Sequence, residues 1–184
     1  MWQYIDNFIP DYYDDYENER SINYIVENSY IPALTTLQEM LDENPGFKVA
    51  FSISGVGMEQ LETHAPQVLE KLQQLNNTGR VEFLSEPYSH GLSSLANEEC
   101  FRDDVERMRK KVKQMFGQEP KVFRNSSLIY SNEIGAMVAD MGFKGMLTEG
   151  AKHILSWKSP NFVYNSASSP KLKVLLRNGS LSDE

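Results

Sequence analysis

Short apolar runs rich in Val, Phe and Leu alternate along this chain with longer segments of helical period, and the connections between them are mostly short. No other sequence feature narrows the fold as much. Phe47–Ser54 (FKVAFSIS), Arg80–Ser85 (RVEFLS), Lys121–Arg124, Lys144–Leu147 and Lys171–Leu176 read as strands. Pro66–Leu75, Glu98–Phe116 and Asn132–Met141 read as helices. The second of these helices is strongly charged and amphipathic, and Gly117 suits its C-cap. Strands joined through helices run parallel with crossover connections, so the expected class is α/β. Periodicity alone does not separate a closed barrel from an open sheet.

Upstream of this alternation, Ser21 suits an N-cap. Ile22, Ile25, Val26, Leu34, Leu37 and Leu41 then recur at roughly helical spacing. Pro32 is expected to interrupt or kink that run, and Asn44-Pro45-Gly46 to end it. The first twenty residues fit no period. They are acidic and aromatic, with Tyr4, Tyr12, Tyr13 and Tyr16 among Asp14, Asp15 and Glu17, and read as an irregular surface segment. Between Leu147 and Lys171 a long loop is expected. No repeat, low-complexity tract or Gly/Ser linker divides the chain, so residues 1–184 are expected to form one unit.

Composition removes several function classes. A net charge of −8 opposes binding to nucleic acid or to an anionic membrane surface. A single cysteine, Cys100, allows no intrachain disulfide and fits a reducing compartment. Its place just inside a helix start suggests a core position. No apolar run is long enough to span a membrane, and the first residues carry no signal-peptide pattern, so a cytoplasmic location is expected. Three scattered histidines give no zinc spacing, HExxH and Walker A motifs are absent, and Gly55-Val-Gly57 lacks the third glycine of a dinucleotide fingerprint. No metal or organic cofactor is expected.

In parallel α/β folds functional groups gather beyond the carboxyl ends of the strands. That rule selects Glu86, Tyr88 and His90 after RVEFLS, and Arg124, Asn125, Ser126 and Ser127 after KVF. It also selects Thr148, Glu149, Lys152, His153 and Trp157 after KGML, and Arg177, Asn178, Asp183 and Glu184 after the last strand. Carboxylates, an imidazole, a guanidinium and aromatic rings on one rim suit a polyhydroxylated ligand. Plainer roles compete with this one. His90 could bond only its own loop, Arg124 could pair with Glu86 or Glu149, and Trp157 could be loop packing rather than a sugar platform. His64 reads as a helix-surface residue. Arg107, Arg109, Lys110, Lys111 and Lys113 read as a solvated helix face balanced by Asp103, Asp104 and Glu106.

Five ordered blocks carry a family resemblance: AFSISGVGMEQLETHAPQVLEKLQQL, GRVEFLSEPYSHGLSSL, KVFRNSSLIYSNEI, MGFKGMLTEGAKHILSWKSPN and LKVLLRNGSLSDE. Together they resemble glycoside hydrolase family 57, its α-amylases and α-amylase-like members. The resemblance implies an incomplete, distorted (β/α)7 barrel of TIM-like form and a retaining mechanism on α-glucans, with a glutamate nucleophile and an aspartate acid/base. The family's His-Gln-Pro strand and its C-terminal helical block are not in this sequence, so truncation at both ends is expected. Ser127 stands at the nucleophile position and Glu184 at the acid/base position, while Glu86, His90, Arg124, Asn125 and Trp157 are expected to bind substrate. The implied partner is an α-glucan or maltooligosaccharide.

The two substitutions point the same way. A retaining glycosidase needs two carboxyl groups about 5 Å apart, one of which attacks the anomeric carbon. A serine hydroxyl carries no charge, is shorter, and leaves poorly as an alkoxide. Glutamate at the acid/base position adds a methylene, and a misplacement of roughly 1 Å can cost about a hundredfold. Impaired catalysis is therefore expected. The alternatives are an inverting hydrolase with Asp183, Glu149 or Glu86 as base, and a non-catalytic regulatory or interaction protein.

Overall fold

The computed structural model of this protein describes residues 15–183. The irregular segment expected over the first twenty residues lies outside that range through Asp14. Beyond it the expectation is corrected: helix α1 spans Asp15–Ile25, because the helical period of Ile22 and Ile25 extends backwards past Ser21. A π-helical turn, Val26–Tyr30, joins α1 to α2 (Ile31–Glu43). There the Ile31 N–H bonds the Val26 carbonyl five residues back. Pro32 has no N–H and sits in the first turn of α2, so the wider turn lets the chain pass the proline without a break.

Strand β1 (Val49–Phe51) runs parallel to β2 (Val81–Phe83), with Val49 opposite Val81. Two helices cross between them, α3 (Gly55–His64) and α4 (Pro66–Asn76). The sequence indicates only the second. Gly55 and Gly57 obscure the start of α3, where the Ser54 hydroxyl accepts from the Gly57 N–H. His64, expected on a helix surface, is its last residue.

After β2 come a short helix α5 (Ser93–Ala96) and α6 (Glu98–Phe116). Helix α6 has the bounds its caps dictate. The Asn97 side chain accepts from the Cys100 N–H at 3.0 Å, and Gly117 closes the helix at φ 70°. Phe101, Val105, Met108, Val112 and Phe116 recur every three or four residues and are buried. The first two join one core with Phe123, Ile134, Val138, Phe143, Met146 and Leu172. The other three join a second core with Phe83, Leu61, Val68 and Leu72. One helix thus ties two cores together. Cys100, expected in the core, is exposed instead, because Phe101 takes the inward position of that turn.

Strand β3 (Val122–Arg124) is joined to the β2 side by a parallel bridge between Ser85 and Phe123. Helix α7 (Asn132–Asp140) leads to β4 (Gly145–Glu149), parallel to β3. The expected long loop contains a four-residue helix α8 (Lys152–Leu155) and a three-residue strand β5 (Val163–Asn165). Strand β6 (Lys173–Arg177) inserts between β4 and β5, parallel to the first and antiparallel to the second. A short helix α9 (Gly179–Ser182) follows. The architecture is a parallel α/β fold with crossover helices and one antiparallel edge strand. Among the described residues no helix is long and apolar enough to cross a membrane.

Candidate functional site

The carboxyl end of β2 delivers a carboxylate into the fold. Glu86 is only 2% exposed. Its Oε1 lies 3.0 Å from His90 Nδ1, and its Oε2 lies 3.5 Å from an Arg124 guanidinium nitrogen and accepts from the Ser52 hydroxyl. A buried carboxylate needs such company, since leaving it unpaired costs several kcal/mol. The four groups come from three strand ends: Ser52 follows β1, Glu86 and His90 follow β2, and Arg124 ends β3. His90 has φ 52°, an uncommon conformation for a residue with a side chain.

Glu86, His90, Arg124 and Ser52 line a cavity of about 580 Å³. The rest of its lining is mostly apolar, with Ile22, Leu34, Leu37, Phe51 and Leu61, and also includes Ser54 and Gln60. This chemistry fits a ligand held by a few polar groups, with apolar walls around the rest.

The turn after β3 is built differently. Ser127 is exposed, with φ 52° and ψ 21°, and Leu128 follows with φ 56°. Ser127 lines a second cavity of about 490 Å³ with Tyr130, Thr148, Glu149 and Tyr164. The sequence-selected residues therefore divide between two cavities. Glu86, His90 and Arg124 share the first, whereas Ser127 and Glu149 share the second. Asn125 is fully buried, and its side-chain N–H groups donate to Ser94 Oγ at 3.1 Å and to the Ile129 carbonyl at 3.0 Å. It braces the turn. Asn125 Oδ1 and Ser126 Oγ are buried without a hydrogen-bond partner among the described residues.

Farther along the rim, Arg177 reaches both Glu149, at 3.3 Å, and Asp183. Glu184, at the expected acid/base position, lies outside the described residues. Trp157 is 88% exposed and lines neither cavity, so no platform against the other site residues is formed there. Among the described residues no cluster of three or more His, Cys, Asp or Glu side chains could hold a metal ion.

Two features were not legible in the sequence. Ser52, which bonds Glu86, gives no signal of its own beyond its place after a strand. The expected solvated face of α6 holds for the exposed Lys110, 4.0 Å from Glu106, and Lys113, and is corrected for three other cations. Arg107 stacks on the Tyr88 ring at 3.7 Å and bonds Glu59, Lys111 bonds Glu62, and Arg109 covers the Phe143 ring at 4.2 Å. These cations clamp neighbouring elements rather than balance only their own helix. Asp104 likewise accepts from the Ser89 N–H and hydroxyl instead of serving α6.

Comparison with known proteins adds a separate line of evidence. Residues 3–184 match the family profile described as Glycosyl hydrolase family 57. A protein of Methanocaldococcus jannaschii named "Putative alpha-amylase" is 42% identical over 174 residues, which is 94% of this chain and 37% of that protein. The chain thus spans little more than a third of that relative's length. Among solved structures, a 4-alpha-glucanotransferase from Thermococcus litoralis matches with a TM-score of 0.74 at 16% identity, over 90% of this chain and 26% of that one. A GH57 branching enzyme from Thermococcus kodakaraensis matches with a TM-score of 0.71 at 14% identity, over 87% and 43% respectively. At these identities the structures speak for the fold.

Proposed function

The chain belongs to glycosyl hydrolase family 57, and from that premise we propose an α-amylase-like protein that holds an α-glucan or maltooligosaccharide and hydrolyses it little or not at all. The observation that carries this reading is the contrast between the two strand ends. Glu86, His90 and Arg124 supply hydrogen bonds of the kind sugar hydroxyls need, on groups already fixed by one another. Position 127, which the resemblance makes the nucleophile position, carries an exposed hydroxyl.

The chemistry follows from charge. A glycosyl–enzyme bond forms when an anion meets an oxocarbenium-like centre, and it breaks because a carboxylate leaves readily. Ser127 offers neither property. A serine nucleophile works with a histidine base beside it. Here His90 lines the other cavity and Ser127 does not. The rerouted, inverting reading finds less support. Each described carboxylate it would use as base, Glu86, Glu149 or Asp183, is engaged by an arginine. We read the unit as a barrel-type domain whose strand ends face the glucan, with residue 184 at the acid/base position.

The test is direct. Incubated with soluble starch or maltoheptaose, the protein should release reducing ends near the blank rate while binding heat is measurable by calorimetry. Ser127→Glu should raise release by at least about a hundredfold, the scale attached to placing a reacting group correctly. Ready turnover by the unsubstituted protein would overturn the reading. So would absence of glucan binding together with stoichiometric copurification of a protein partner.

A further inference from the structure

Glu86 and His90 stand four residues apart on one loop, and their contact requires that loop to turn back at a left-handed residue. None of the three residues between them lines the cavity, and of these Tyr88 joins the hydrophobic core. Its side chain is 3% exposed, and it belongs to the core shared by α3, α4 and α6. Its ring occupies a slot that exists only because position 55 is glycine. A Cβ on Gly55 would lie 2.2 Å from the ring. The phenol O–H donates to Glu59 on α3, and the same carboxylate oxygen accepts from Arg107 of α6, whose guanidinium covers the ring. The backbone closes the arrangement, with the Tyr88 carbonyl accepting from the Val56 N–H at 3.2 Å and the Pro87 carbonyl from the His90 N–H at 3.0 Å. Burial, then the bond to Glu59, hold the phenol above its ordinary pKa of 10.0, with Arg107 pulling the other way, so the tyrosine remains a donor.

We infer that Tyr88, seated in the Gly55 slot and tied to Glu59, is a positioning residue that sets the Glu86–His90 pair on the cavity. It touches no ligand. A mutually bonded carboxylate and imidazole must be held closely to be useful, and side chains locked by packing and hydrogen bonds behind a site provide that. The loop's other ties support the same reading. Ser89, also between the two site residues, bonds Asp104 of α6 at the surface, and Ser94, beyond them, accepts from Asn125 after β3.

The inference rests on the glucan-binding reading for its consequence but not for its geometry, and two measurements separate them. In the ligand-free protein, the ring resonances of His90, identified by their loss in His90→Ala, should move in Tyr88→Ala and Gly55→Ala. They should stay in place in Lys110→Ala. Tyr88→Phe and Glu59→Gln keep the ring seated and should move them less, and these variants serve if the larger changes prevent folding. Unmoved His90 resonances in a folded Tyr88 or Glu59 variant would overturn the inference. Calorimetry with maltoheptaose supplies the second measurement. Tyr88→Ala should weaken binding about tenfold, and the same change in a His90→Ala background should cost less than about twofold, because residues acting through one another are not additive. Fully additive losses would indicate a general structural role and overturn the positioning claim. If the unsubstituted protein takes up no maltoheptaose, the glucan reading fails while the resonance experiment still decides the role of Tyr88.

Discussion

Two neighbouring strand ends in this protein carry a residue at the same unusual backbone angle and hold it by opposite means. His90 after β2 and Ser127 after β3 both have φ 52°. Around His90 every step is tied: its ring to Glu86, its N–H to Pro87, and its neighbours Tyr88 and Ser89 to α3 and α6. Around Ser127 the side chain is exposed and the next residue also has positive φ. Beneath it, a buried polar atom each of Asn125 and Ser126 lacks a partner among the described residues. A left-handed residue costs roughly 1–2 kcal/mol relative to the right-handed form. At the first end the residue's own side chain is bonded as well as its backbone, whereas at the second only the backbone around it is bonded, Leu128 N–H to the Asn125 carbonyl and Ile129 N–H to the Ser126 carbonyl. On the proposed reading, the well-tied end holds the glucan and the strained end is where a carboxylate would have been presented.

The largest expected difference comes from removing the charge at the tied end. Glu86→Ala leaves the part-exposed Arg124 without its carboxylate and strips His90 and Ser52 of their partner. Losing hydrogen bonds to a charged group costs about 1.5–3 kcal/mol. Ser127→Ala, an exposed change, should fall within about 0.5 kcal/mol of the unsubstituted protein. Urea titrations of the two variants measure both numbers. Equal losses would abolish the distinction between the two ends.

That distinction was half legible in the sequence. The rule that function gathers at strand carboxyl ends selects Glu86, His90, Arg124 and Ser127, because short apolar runs ending in polar residues are local signals. Helix α6 has its expected bounds, and its C-cap Gly117 is a local signal too. What could not be read depends on distant pairs. Tyr88 meets Glu59 across 29 positions, and Ser52 meets Glu86 across 34. Helix α3, which carries Glu59, opens on two glycines that lower helical propensity. Strand β5 is three residues long, too short for alternation to show, and its place at the sheet edge comes from pairing with β6. The division of the site into two cavities is likewise tertiary, since Arg124 and Ser127 are three residues apart and line different ones.

Glycine at each left-handed position sharpens the comparison through the sign of the effect. Ser127→Gly relieves the backbone and removes only an exposed hydroxyl, so it should stabilise by about 1 kcal/mol. His90→Gly gains similar relief but loses a bond to a buried carboxylate worth about 1.5–3 kcal/mol, so its net effect should be a loss of about 1 kcal/mol. Thermal melts followed by circular dichroism read both shifts. Two shifts of the same sign would mean that the bonds around His90 do not support its conformation.

A smaller effect should appear in alkali, and only at the tied end. Tyr88 has a folded pKa raised above that of the unfolded chain. Its contribution to stability is therefore complete below the unfolded value of about 10 and is lost as pH climbs through the folded one. Stability measured from pH 8 to 11 should decline less steeply at the alkaline end in Tyr88→Phe, which has no phenol to ionise. Identical profiles would show that the phenol contributes nothing to the tie.

The smallest change tests the strained end from below. Ser126 is 1% exposed, and its hydroxyl has no partner among the described residues. A buried hydroxyl without a bond forfeits the interactions it had with water in the unfolded chain, and replacing it with a methyl group removes that penalty. Ser126→Ala should accordingly be neutral or stabilise by up to about 1 kcal/mol in urea titration. Ser94→Ala makes the matched control, because the Ser94 hydroxyl accepts from Asn125 and its removal leaves that amide a donor short of a partner. It should destabilise by about 1 kcal/mol. If Ser126→Ala costs as much as Ser94→Ala, the turn under Ser127 is as well satisfied as the loop under His90, and the contrast between the two strand ends reduces to the identity of the residues at their tips.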